Sequence, residues 1–334
     1  MITTSFSQQN NLSFPIIMAP MFLVSNEAMI QAAIRSGIMG TFPTLNYRKE
    51  NELIDVINRL HQFRNNHNGA GSFGVNLIVQ KSNPLYPKHL DICVEGKVPF
   101  YITSLGNPKE VIERAHAYGG KVYCDVTNLE HAEKCASLGA DGFIAVCQGA
   151  GGHAGPYPFS VLIPALKEKF PTIPVIAAGG IATGAGIVSA LSLGAEGVSI
   201  GTRYLASKEA AVSDAYKEAI VASGMEDIVL TERLSGTPCA VINTPYVQKI
   251  GLHQNRIEKW MNNNATTKKY FKMLTQVRGM KKLEEAIKPG NYNNLWSAGQ
   301  SSALIHDIKG CEEITDRLIK ECFESVQSLN RKFS

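Results

Sequence analysis

The chain has 334 residues, 44% of them hydrophobic and 19% charged, with a net charge of +4. That is the composition of an ordinary soluble enzyme, and so small a charge does not call for nucleic acid or an anionic membrane as partner. The length allows one large domain, or a barrel with an insertion.

Met1 to Asn11 is polar, with no basic start followed by an apolar stretch, so no secretory signal is expected. No window approaches the roughly 20 apolar residues of a membrane span. The seven cysteines (Cys93, Cys124, Cys135, Cys147, Cys239, Cys311, Cys322) are odd in number and form no C-x-x-C. This argues against both a disulfide framework and a zinc site, and a reducing cytoplasm is the simplest compartment.

From here short apolar strands alternate with helical stretches. Strands are expected at 16–19, 38–41, 74–78, 100–103, 121–125, 142–146, 175–177 and 198–200. Helices are expected at 27–36, 50–65, 85–95, 108–118, 129–138, 160–169 and 185–193. Eight βα units within about 200 residues point to the α/β class and a closed (β/α)8 TIM barrel rather than an open doubly wound sheet. The C-terminal ends of barrel strands surround an active site. Here they carry Met21 and Ser25, Thr44 and Asn46, Asn76, Ser104, and Asp125.

Strand six leads into A-V-C-Q-G-A-G-G-H-A-G, in which His153 sits among Gly149, Gly151, Gly152 and Gly155. A histidine on bare backbone at a strand end can approach a flat ring closely. Its ordinary pKa of about 6.5 suits proton transfer near neutrality. The other seven histidines fall in helices or polar loops. Cys147, close to this loop, suits core packing better than redox chemistry. Asp141 and Glu196 adjoin glycines at helix–strand junctions, which suits turns better than metal ligation, and no metal constellation is visible.

Strand seven ends in Ala178-Gly179-Gly180 and strand eight in Gly201-Thr202. Two parallel strands that each end in a glycine turn place two sets of bare N–H groups side by side. That geometry binds phosphate, and in a (β/α)8 barrel the loops after strands seven and eight are the usual phosphate site.

After Arg203 the rhythm changes. Residues 206–223 read as an amphipathic helix, and 227–243 as loop and extended chain around Ser235-Gly236-Thr237-Pro238. Residues 248–287 read as polar helix, with Lys268, Lys269, Lys272, Lys281 and Lys282 forming a solvated face rather than a nucleic-acid site. A break follows at Pro289-Gly290-Asn291, then a last barrel helix at 312–329. The expected organisation is a barrel over 1–224, a small, mainly helical inserted subdomain over 225–290, and a return segment with the last helix over 291–334. Apolar residues on the insert helices would permit a homodimer.

Taken together, G-G-H-x-G after strand six, A-A-G-G-I after strand seven and I-G-T-R after strand eight resemble the nitronate monooxygenases, formerly called 2-nitropropane dioxygenases. I-I-M-A-P-M at 16–21, F-G-V-N at 73–76 and W-S-A-G-Q-S at 296–301 extend the resemblance in order, over about residues 14–325. The resemblance implies a TIM barrel holding FMN non-covalently, with its phosphate on Gly179, Gly180, Gly201 and Thr202. Met21 and Asn76 would approach the isoalloxazine ring. Ala19, Pro20, Gly151, Gly152, Ala178 and Gln300 complete the implied contacts, and Asp125 would lie at the pyrimidine edge. His153 would face the substrate as general base or orienter. The implied reaction oxidises a small alkyl nitronate, or a nitroalkane, with O2 to a carbonyl compound and nitrite. The same motifs occur in NAD(P)H-dependent enoyl-acyl-carrier-protein and quinone reductases, so a flavin reductase on this scaffold is the competing expectation; a non-catalytic flavin-binding protein is a third. The chain departs from the family pattern twice. Gly149 stands where an acidic residue is often found, and Asp125 where a basic one is common.

Overall fold

The computed structural model describes residues 2–80, 82–233, 238–253 and 295–334. Eight parallel strands close into a barrel in sequence order: β1 (Ile16–Met18), β2 (Met39–Pro43), β3 (Ser72–Ile78), β4 (Phe100–Ser104), β5 (Lys121–Val126), β6 (Gly142–Val146), β7 (Val175–Ala178) and β8 (Gly197–Ile200). Closure is made where Ile17 of β1 pairs with Ser199 of β8. The side-chain period of two splits each strand between two cores. Ile17, Met39, Phe100, Ile102, Tyr123, Ile144 and Ile176 point into the barrel, and their neighbours pack outward against the helices. Because both faces are buried, the strands read as apolar runs, which is why they are legible in sequence.

The helices between strands are α2 (Glu27–Arg35), α3 (Glu50–Asn66), α4 (Tyr86–Glu95), α5 (Lys109–His116), α6 (Leu129–Ser137), α7 (Phe159–Lys169) and α8 (Gly184–Ser192). Side chains of Asn26, Asn128 and Thr183 cap α2, α6 and α8 by accepting from backbone N–H groups in the first turn. The polar N-terminus has a role that composition hides. Helix α1 (Ser5–Gln9) sits at the barrel's base and buries Phe6 completely, edge-on to Phe100 and Tyr123.

The last third departs from a simple helix pattern. Helix α9 (Thr202–Leu205) follows β8 directly, and α10 covers only Asp214–Ala222, because the Ser213 side chain accepts from Tyr216 N and starts the helix there. The expected helix at 206–213 is instead irregular chain, with Lys208 N bonded to Lys309 O. The described part of the stretch expected as a mainly helical insert over 225–290 is an antiparallel ribbon, β9 (Ile228–Thr231) and β10 (Cys239–Ile242), followed by the short helix α11 (Pro245–Ile250). The expected helical stretch beyond residue 253, with its five lysines, lies outside the described residues. Helix α12 (Cys311–Phe333) closes the ring against α8 and α2. All seven cysteines are buried and unpaired. No helix among the described residues is long and apolar enough to cross a membrane.

Candidate active site

A cavity of about 840 Å³ opens at the C-terminal ends of the strands. One end is the turn pair expected to hold phosphate. Ala178, Gly179, Gly180, Gly201 and Thr202 all line it. Gly179 and Gly180 have φ of +108° and +76°, which L side chains rarely adopt. A Cβ on Gly179 would also stand 2.9 Å from Ala150 N and Cys147 O. Among the described residues no acceptor meets the N–H of Gly180 or of Gly201. Two bare amides at the head of a cavity form a donor set for an anion's oxygens. Thr202 is tied in by accepting at Oγ1 from Gly299 N, 3.0 Å away.

The His153 loop leaves β6 over the same cavity, and Gly149, Gly151, Gly152 and His153 line it. Gly149 has φ +90°, and a Cβ there would lie 3.2 Å from Gly180 Cα. The absence of an acidic side chain at 149 is therefore built into this backbone. Gly152 exchanges both hydrogen bonds with Ala240 of β10: Gly152 N donates to Ala240 O at 3.1 Å and Ala240 N to Gly152 O at 2.7 Å. The ribbon in turn holds the return segment, Ile242 N donating to Trp296 O at 2.8 Å. Three segments distant in sequence thus fix the loop that carries His153. His153 is exposed at the cavity, yet desolvation by the surrounding loops lowers its imidazole below the ordinary pKa, so the neutral ring is favoured.

Asp125, at an inward position of β5 beside β6, also lines the cavity. Behind it Asn76 of β3 and Ser104 of β4 form a hydrogen-bonded chain. Asn76 Nδ2 donates to Ile102 O at 3.1 Å and to Ser104 Oγ at 2.7 Å, and Ser104 Oγ donates to Asp125 Oδ2. Burial pushes the Asp125 carboxyl up to about 6, against the lowering effect of the Ser104 hydrogen bond.

Of the residues expected from sequence, Ala19, Pro20 and Met21 at the end of β1 complete the lining. Asn76 and Gln300 do not reach it. Asn76 is buried behind Asp125, and Gln300 is exposed, its Oε1 3.9 Å from a Cβ built on Gly149. Sequence reasoning missed Tyr216, Cys239 and Ser297, which also line the cavity. Tyr216 stacks on Trp296 at 5.2 Å and donates to Ser297 O at 2.6 Å. Trp296 lies in the W-S-A-G-Q-S motif and was the available signal. The mouth adds Arg48, Leu85 and Leu105. Leu105 is 51% exposed with φ +58°, a strained backbone for a leucine at a cavity rim. Cys147 is sealed: its thiol donates to Ala145 O and burial pushes it up to about 12, so it is a core residue. Among the described residues no group of three His, Cys, Asp or Glu side chains is placed to hold a metal.

The closed eight-stranded parallel barrel, with a cavity at the C-terminal ends of its strands, defines a TIM-barrel protein. A sequence profile of the nitronate monooxygenase family matches residues 5–321, and the chain belongs to that family of oxidoreductases. It is 31% identical over 249 residues to a probable nitronate monooxygenase of Staphylococcus saprophyticus, covering 70% of this chain and 66% of that one. It is 25% identical over 358 residues to (3aS,4S,5R,7aS)-5-hydroxy-7a-methyl-1-oxo-octahydro-1H-indene-4-carboxyl-CoA dehydrogenase of Rhodococcus jostii, covering 98% of both. Among solved structures it resembles FabK of Thermotoga maritima, with a TM-score of 0.85, 30% identity, and 99% and 100% of the two chains covered.

Proposed function

We propose that the protein is an FMN-dependent oxidoreductase that oxidises alkyl nitronates with O2 to a carbonyl compound and nitrite. The observation that carries the reading is the pair of bare amides at Gly180 and Gly201, which line the same cavity as Asp125 and His153. The donor set fits a flavin mononucleotide: backbone amides suit the oxygens of a phosphate monoester, and the lining by Ala19, Met21 and Val146 suits a flat apolar ring.

When bound, FMN supplies the two-electron chemistry. The protein's share is positioning and proton handling. Gly179, Gly180, Gly201 and Thr202 hold the phosphate. His153, its pKa lowered by desolvation so that the neutral ring is favoured, orients the substrate and removes the α-proton when a neutral nitroalkane is offered. The Tyr216–Trp296 stack supports the part of the cavity lining that Tyr216 forms.

A second reading is an NAD(P)H-dependent flavin reductase acting on a larger substrate. It is favoured by the named dehydrogenase relative and by a cavity whose rim, at Arg48, Leu85 and Leu105, extends well beyond the cradle. Anaerobic mixing of the FMN-loaded protein with a nitronate, NADH and NADPH separates the two. Bleaching of the flavin by nitronate alone is expected. Rapid bleaching by a nicotinamide, with none by nitronate, would make the protein a reductase.

A further inference from the structure

The pleat brings Asn76, Ser104 and Asp125 together from inward positions at the ends of three adjacent strands. Their hydrogen bonds have a fixed direction. Ile102 O can only accept, so the Asn76 amide must present its nitrogen there, and the same nitrogen donates to Ser104 Oγ. The serine's single proton then goes on to Asp125 Oδ2. That oxygen is committed, whereas no described residue donates to Oδ1, and Asp125 lines the cavity. No lysine or arginine of the described residues neutralises it. The titratable groups facing it from behind are His131 and Cys135 of α6, and His153 and Arg48 line the cavity it faces. A carboxylate on a cavity lining, with one oxygen tied back and no described donor to the other, is arranged to exchange a proton.

Resting on the flavin reading, we propose that Asp125 is the proton-holding group of the site: Oδ1 takes one proton from solvent each time the bound flavin is reduced and returns it on reoxidation. Two electrons and one proton enter the flavin from the external donor, leaving it anionic. The second proton forms an O–H bond on Asp125, so the reduced site carries one negative charge rather than two. On oxidation by the electron acceptor the Asp125 O–H bond breaks and the proton leaves to solvent. The driving force is repulsion between like charges at short range in a site with little water. The raised carboxyl, at about 6 before any negative charge is added, is consistent with this.

The test is the midpoint potential of the FMN-loaded protein, measured spectroelectrochemically against pH, for the wild type, Asp125→Asn and Ser104→Ala. Above pH about 6 the wild-type potential falls more steeply than that of Asp125→Asn, by one proton per two electrons, about 30 mV per pH unit. Below it the two lines converge. Ser104→Ala keeps the extra slope and moves its onset to higher pH, because the lost hydrogen bond favoured the ionised form; it serves equally if Asp125→Asn does not fold. Parallel lines for wild type and Asp125→Asn, or a Ser104→Ala onset at lower pH, would overturn the assignment and leave the flavin reading standing. A wild type that binds no FMN would overturn both.

Discussion

At the scale of the residue, one cavity moves two titratable groups in opposite senses: desolvation lowers His153 and raises Asp125. Both shifts favour the neutral form, as expected where charge is poorly solvated. For His153 this has a kinetic consequence. The base form persists below the ordinary imidazole pKa, so the acid limb of kcat/KM with a neutral nitroalkane is expected below pH about 6.5. His153→Ala should retain FMN, lose about 10²–10⁴-fold in turnover of neutral nitroalkane, and lose far less with preformed nitronate. Steady-state rates with the two substrate forms check this. Unchanged nitroalkane turnover would remove His153 from proton transfer.

His153 was legible in the sequence because glycines crowd one strand end around it. Asn76 was legible as a strand-end polar residue but not in its place. Its partners, Ser104 and Asp125, lie on two other strands, and only barrel closure shows that it stands behind the cavity wall rather than in it. Gln300 was similarly marked by its motif, yet it begins a single turn whose buried face is Ser301 and Ser302, leaving the glutamine outward.

At the scale of the element, the eight strands and their helices followed from apolar runs and 3.6-residue periodicity, since each βα unit buries its own face locally. The ribbon did not. Its strands are four residues each, too short to carry a period, and their partners are distant in sequence. Yet β10 sets the His153 loop through the Gly152–Ala240 pair. Both polar backbone groups of Ala240 face Gly152, so the β9 ladder does not depend on the Ala240 N–H. Ala240→Pro deletes the donor to Gly152 O while leaving that ladder intact. The expected result is FMN content near wild type with kcat lowered several-fold, the scale of one backbone hydrogen bond at about 0.5–1.5 kcal/mol. Full kcat in this variant would show that the ribbon does not position the loop.

At the scale of the whole molecule, the barrel is sealed at its base by Phe6 and joined at its mouth to the C-terminal segment. Arg203, next to Thr202, is not among the residues that line the cavity. It is buried and donates to Asp307 O and Oδ1, both at 2.9 Å, while Arg317 donates to Asp307 Oδ2 at 2.7 Å. Burial raises the Asp307 carboxyl, but hydrogen bonds and charge from Arg317 and Arg203 outweigh it and hold it below the ordinary value. A depressed folded-state pKa means stability that is present above the unfolded value of 3.8 and lost as pH falls through the folded one. Asp307→Asn should therefore cost about 1.5–3 kcal/mol near neutrality and narrow its gap to wild type in acid. Urea unfolding at neutral and acid pH measures both, and a pH-independent difference would exclude the charge as its source.

In the proposed function, backbone amides at the ends of β7 and β8 grip the phosphate of FMN. Titration of the apoprotein with FMN and with riboflavin, which lacks only that group, tests it most directly. Two charge-assisted hydrogen bonds at about 1.5–3 kcal/mol each predict that riboflavin binds at least about 100-fold more weakly. Equal affinity for the two flavins would contradict the cradle's role.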